Sequence, residues 1–187
     1  MAETEPQAEP GDAQGERLLR AVESILASNA ALTGIAGELR RQASAGGQGE
    51  ESVRRLAAAA AIARYSNFAA LSGGASALPA LVPGLGTAVA VAGGALADVT
   101  LLLKWELELA LVLATLHGRD IADPVERTVA FVLAAAGTAD ARSGGNSLQD
   151  LTVTGGLALW NYAPRHLGKL LVTLLGRLAL ASASKSL

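Results

Sequence analysis

Apolar positions recur at helical spacing along most of the chain. From Glu16 to about Ser44 the residues Leu18, Leu19, Val22, Ile25, Leu26, Leu32, Ile35 and Leu39 fall three and four apart, the pattern of an amphipathic helix. Arg40 and Arg41 stand where cations complement a helix C-terminus. Asn29, Gly34 and Gly37 weaken the middle, so the stretch reads as one or two helices. Ala45-Gly46-Gly47-Gln48-Gly49 reads as a loop. A further helix opens at Glu50-Glu51, runs through Arg54, Arg55, the alanines of 57–61, Arg64, Tyr65 and Phe68, and fades at Gly73-Gly74.

Periodicity then gives way to a stretch with almost no polar face. The thirty-three residues 65–97 contain no Asp, Glu, Lys, Arg or His. Pro79, Pro83, Gly84 and Gly86 interrupt it, which excludes one straight transmembrane helix, because proline removes a backbone donor and bends the path. The pattern predicts helix, turn, helix, an apolar hairpin over 65–117 whose second arm runs from Pro83 to about His117, roughly 50 Å at 1.5 Å per residue. Gly93-Gly94 and the alanines around them offer a smooth face for close helix approach, with the Ala-rich helix over 50–72 as the expected partner. Lys104, Glu106 and Glu108 bring charge back and read as the solvated end of this arm.

Gly118 suits the left-handed cap of a helix C-terminus. Asp123, Pro124 and Glu126 then supply an N-cap, a first-position proline and a third-position acid, so a helix is predicted from here to about Arg142. Ser143-Gly144-Gly145-Asn146-Ser147 is a loop, and Ser147 with Asp150 can cap the next helix. Residues 148–163 are read as helix despite the strand-like Leu151-Thr152-Val153-Thr154, because no second strand is available for pairing. After Pro164, Arg165, Lys169, Thr173 and Arg177 lie four apart among leucines, and residues 165–187 contain no acid. Such a basic amphipathic helix suits an anionic lipid surface, with Arg165, Lys169 and Arg177 as the contact residues. A helix that closes a bundle fits the same pattern.

Composition narrows the choice of function. Of the 187 residues 51% are hydrophobic, 17% charged and 3% aromatic, so the apolar matter is Ala, Leu, Val and Gly, suited to packed helices rather than sheets. Lys+Arg 15 against Asp+Glu 17 gives net −2, too balanced for a nucleic-acid binder. The absence of cysteine excludes disulfides and thiolate chemistry. Only His117 and His166 are present, and no HExxH grouping occurs, so no metal or cofactor is expected. Gly84-Leu85-Gly86 lacks the third glycine of a dinucleotide turn, and Ser72-Gly73-Gly74 lacks the nucleophile-elbow arrangement. Asp98 is the strongest single candidate, an acid arriving after the uncharged run and expected to be buried. It must take a partner such as Arg64 or Arg119, bind a proton, or reach water.

Ala97-Asp98, Leu107 to Leu116, His117-Gly118-Arg119-Asp120 and Asp123-Pro124-Val125-Glu126-Arg127 together resemble the EcsC protein family over roughly residues 60–140. The shared features are a Gly/Ala-rich apolar stretch, an acid leading into a long apolar helix, an aromatic-glycine-x-acid turn and a D-P-x-E-R helix start. His117 stands where the family has tyrosine. The resemblance implies a bacterial helical protein, in some cases associated with ABC-transporter gene clusters.

The combined expectation is an all-α compact bundle of about five to seven helices with a long Gly/Ala-rich central hairpin. Residues 1–15 form a disordered acidic tail and 16–187 a single helical domain. The protein is expected to be non-enzymatic and to associate with anionic lipid at the cytoplasmic face of the inner membrane, peripherally or partly inserted, or as an accessory to a transport complex. The N-terminus has neither the positive start nor the apolar run of a secretory signal. The alternative is a soluble helical scaffold that binds a protein partner or itself.

Overall fold

The structure, a computed structural model, describes residues 10–72, 96–143 and 164–183. Six α-helices occur among them: α1 (Pro10–Ile25), α2 (Asn29–Ser44), α3 (Glu50–Ser72), α4 (Ala97–Leu116), α5 (Pro124–Ser143) and α6 (Pro164–Ala183). No strand is found among the described residues. The expectations for the hairpin tip at Pro83, the Gly93-Gly94 face, the Ser147/Asp150 cap and the helix over 148–163 lie outside the described residues.

The helix ends follow from capping chemistry. Ser28 accepts a hydrogen bond from the Ala31 N–H at 3.2 Å and starts α2, so the predicted weakness near Asn29 is a break between two helices. Past the end of α4, Gly118 takes φ +76°. The Arg119 N–H reaches the Ala114 carbonyl at 2.9 Å and the Gly118 N–H that of Thr115 at 3.0 Å, the paired bonds of a Schellman cap. Asp123 accepts from the Val125 N–H at 2.8 Å, and Pro124 opens α5 as predicted.

The bundle is compact and α4 runs through its middle, touching α1, α2, α3, α5 and α6. Val99, Leu103, Leu107 and Leu111 of α4 are buried, as are Leu18 and Val22 of α1, Leu32 of α2 and Leu175 of α6. Each such side chain contributes about 1.5–3 kcal/mol by leaving water. An apolar helix surrounded by helices is what its composition requires.

Two expectations change. Helix α1 begins at Pro10, so residues 10–15, expected in the disordered tail, are helical, and Gly15 is buried against α6. Packing supplies the order that local composition does not: a Cβ at residue 15 would sit 2.9 Å from the Gly176 nitrogen, so the two backbones meet where neither has a side chain. Second, Lys104 and Glu108 are not solvated. Their side chains are 7% and 5% exposed and joined at 2.7 Å. Of the two readings left open for α6, its packing matches the bundle-closing one: Leu171, Leu175 and Leu178 point inward and the helix packs on α1 and α5, while Thr173 and Arg177 remain on its exposed side.

Candidate functional site

A groove of about 660 Å³ opens between α3, α4 and α5. Its floor is the α4 stripe Glu106, Leu109, Ala110, Leu113 and Ala114, which recurs at three and four residues and so faces one way. Val129, Ala130, Leu133 and Ala134 of α5 form one wall, and Tyr65, Ser66 and Ala69 of α3 the other. The alanines create the space, because helices held apart by larger neighbours leave a trough wherever facing side chains are small. His117, Arg119 and Glu126 close one end, where Arg119 donates to the Glu126 carboxylate.

Aromatic packing stiffens the α3 side. Tyr65, Phe68 and Trp105 are three of the chain's six aromatic residues. Phe68 and Trp105 lie 4.9 Å apart between ring centroids, and Tyr65 meets Phe68 edge-on at 5.9 Å. The Lys104 ammonium sits 3.5 Å from the Trp105 ring centroid, a cation–π contact that adds to its bond with Glu108. Burial pushes the Lys104 ammonium below the usual lysine range, and Glu108 opposes that shift. Tyr65 is 2% exposed, and its buried hydroxyl finds no hydrogen-bond partner among the described residues. Burial and, secondarily, the Glu108 charge raise its pKa.

Glu106 is the unusual group of the groove. Its carboxylate lies against α5 at Gly137, where any Cβ would collide with Oε2. Burial raises its pKa from 4.5 to about 7, with the Thr138 hydroxyl pulling the other way. Among the described residues no ion pair compensates it. The sign of the resulting pH dependence is definite. Between pH 4.5 and about 7 the unfolded chain has lost this proton while the folded chain keeps it, so stability falls as pH rises through that window and then levels off. Glu106→Gln is therefore expected to raise stability at pH 8 by about 1–2 kcal/mol after allowance for solvent screening. At pH 4 it should change little. Urea unfolding of both proteins at the two pH values measures this, and an equal effect at both would contradict it.

Of the residues singled out from sequence, Asp98 is exposed rather than buried. It lies in the first turn of α4, where a negative charge complements the helix dipole, while Val99, Thr100, Leu101 and Leu103 take the buried directions. Among the described residues no ion pair joins it to Arg64 or Arg119; Arg64 lies over the Phe68 ring at 5.5 Å. His117 is exposed, caps α4 and borders the groove. Arg177 is exposed on α6, whereas the side chains of Arg165 and Lys169 lie outside the described set.

Sequence reasoning misses Glu106 as a separate feature, because it groups Lys104, Glu106 and Glu108 as one charged end. The available signal is spacing. Residues 104 and 108 share a face at i, i+4, and residue 106 faces away from both. Its stripe-mates Leu109, Ala110 and Leu113 are apolar, which marks it as an acid on an apolar face. Compared with known protein families, with characterised proteins and with solved structures, this chain matches none.

Proposed function

We propose that the protein is a non-enzymatic, EcsC-like helical protein that associates peripherally with anionic lipid at the cytoplasmic membrane face, in the manner of an accessory to a membrane complex. The observation that carries this reading is the outer face of α3. Leu56 and Ile62 are 45% and 48% exposed, and Ala59, Ala60, Ala63, Arg55 and Arg64 are exposed on the same helix. Residues 52–97 contain no acid at all. Apolar groups flanked by cations, with the acids of α3 confined to Glu50 and Glu51 in its first turn, form the surface expected of an interfacial helix.

The magnitudes favour reversible contact over insertion. Two half-exposed aliphatic side chains contribute about 1 kcal/mol each on entering the interface, and each arginine near an anionic leaflet about 1 kcal/mol more. Among the described residues no helix is long and apolar enough to cross a membrane. The α3 face thus adds to the α6 cations Arg165, Lys169 and Arg177 expected from sequence, of which Arg177 is exposed and the side chains of the other two lie outside the described residues.

Flotation with vesicles containing phosphatidylglycerol tests the reading. The protein is expected to float with them at low ionic strength, to be released by about 0.5 M salt through screening, and to lose about tenfold in bound fraction in the Leu56→Glu/Ile62→Glu double variant. Wild-type protein that stays at the bottom of the gradient at low salt would overturn it. The same α3 face also supports the alternative of self-association, since Ala59, Ala60 and Ala63 permit a second helix to approach closely. Concentration-dependent dimerisation without lipid, abolished by the double variant in sedimentation velocity, would select that alternative.

A further inference from the structure

We propose that the groove between α3, α4 and α5 binds a lipophilic cation, an apolar molecule carrying an ammonium or similar positive centre, with the Glu106 carboxylate as its counter-charge. Size, wall chemistry and charge each support this. A volume of about 660 Å³ is that of a site for a small organic molecule, within the general span of about 300–1,000 Å³. The walls are Leu and Ala with the aromatic side chains of Tyr65 and Trp105, and aromatic rings favour positive ligands.

Charge decides between ligand classes. Arg119 at the end of the groove is engaged with Glu126, so those two offset one another. Lys104 lies over the Trp105 ring and is joined to Glu108 at 2.7 Å, so that pair too offsets itself. From α3, Tyr65 contributes a neutral phenol, and Arg64 lies over Phe68. From α5, Thr138 is the polar neighbour of Glu106. His117 stands at the far end, three helical turns from Glu106. Among the described residues, the ionised Glu106 is left as the charge of the lining without an ion-pair partner. Keeping a carboxylate half-buried against Gly137 opposes folding at neutral pH, and a bound cation would remove that cost by restoring the ionised form.

The test uses an isosteric pair, tetraphenylphosphonium and tetraphenylborate, which present the same apolar surface with opposite charge. Calorimetry on the full chain without vesicles reads the groove independently of the surface association proposed above. The cation is expected to bind at least about tenfold more tightly than the anion at pH 8, a discrimination of the size that one near charge produces at a partly desolvated site. Its affinity should fall severalfold at pH 6, where Glu106 holds its proton. Glu106→Gln should abolish the preference while leaving helicity intact. Leu133→Lys, which adds a cation at an exposed wall position, should weaken the cation and not the anion. Equal or tighter binding of the anion, binding of neither ion, or an unchanged cation affinity in Glu106→Gln would each overturn the proposal.

Discussion

Glu108→Ala is expected to lower the unfolding free energy by about 3–5 kcal/mol, the cost of stranding one member of a buried ion pair. The carboxylate has two duties. Its Oε1 accepts from the Lys104 ammonium at 2.7 Å and from the Ala27 N–H at 3.0 Å, so it neutralises a charge inside the bundle and fixes the corner between α1 and α2. The Arg127 guanidinium holds the next step of that corner through Asn29 at 2.9 Å. Alanine would leave both the ammonium and the amide without their acceptor, beside a new cavity. The double variant Lys104→Met/Glu108→Leu removes both charges and should recover most of the loss, leaving only the Ala27 N–H unsatisfied at about 1–3 kcal/mol. Urea unfolding of the wild type and the two variants measures the series. A double variant no better than Glu108→Ala would show that the pair does not act through charge compensation.

The second large effect belongs to Gly15. Valine here is expected to destabilise by about 3 kcal/mol, because the obstacle is the α6 backbone at Val172 and Gly176 and not a side chain that can turn aside. Alanine is the informative control. It returns about 1 kcal/mol of helix propensity, yet its Cβ still meets the same backbone, so it too should destabilise. Gly34 supplies the reference, since a Cβ there would meet nothing within 4 Å. Gly34→Ala should stabilise by about 0.5–1 kcal/mol. Thermal unfolding of the three variants gives the ordering Gly34→Ala, wild type, Gly15→Ala, Gly15→Val from most to least stable. Tolerance of valine at residue 15 would mean that α1 does not dock through this contact.

Local signals are legible where one residue's chemistry decides the outcome. The Asp123-Pro124 start of α5, the Gly118 cap, the Glu50 start of α3 and the Pro164 start of α6 all lie where sequence places them, since each depends on a short-range hydrogen bond or on a fixed φ. Direction is harder to read. Asp98 is expected inside and is outside. Lys104 and Glu108 are expected outside and are inside. A charged side chain can end at solvent or at a partner, and the sequence carries no sign of whether a corner such as Ala27 will arrive to complete the pair.

The helical class and the helix ends at Glu50, Gly118, Pro124 and Pro164 were therefore determined by the sequence alone, through periodicity and capping, which act over a few residues. The tertiary structure alone decided which charges are buried, how Gly15 joins α1 to α6, and that Glu106 shares a groove with Tyr65 and Val129. Each of these depends on groups far apart in the chain meeting in space, and the free energy of burial is set by what surrounds a side chain rather than by its neighbours in sequence.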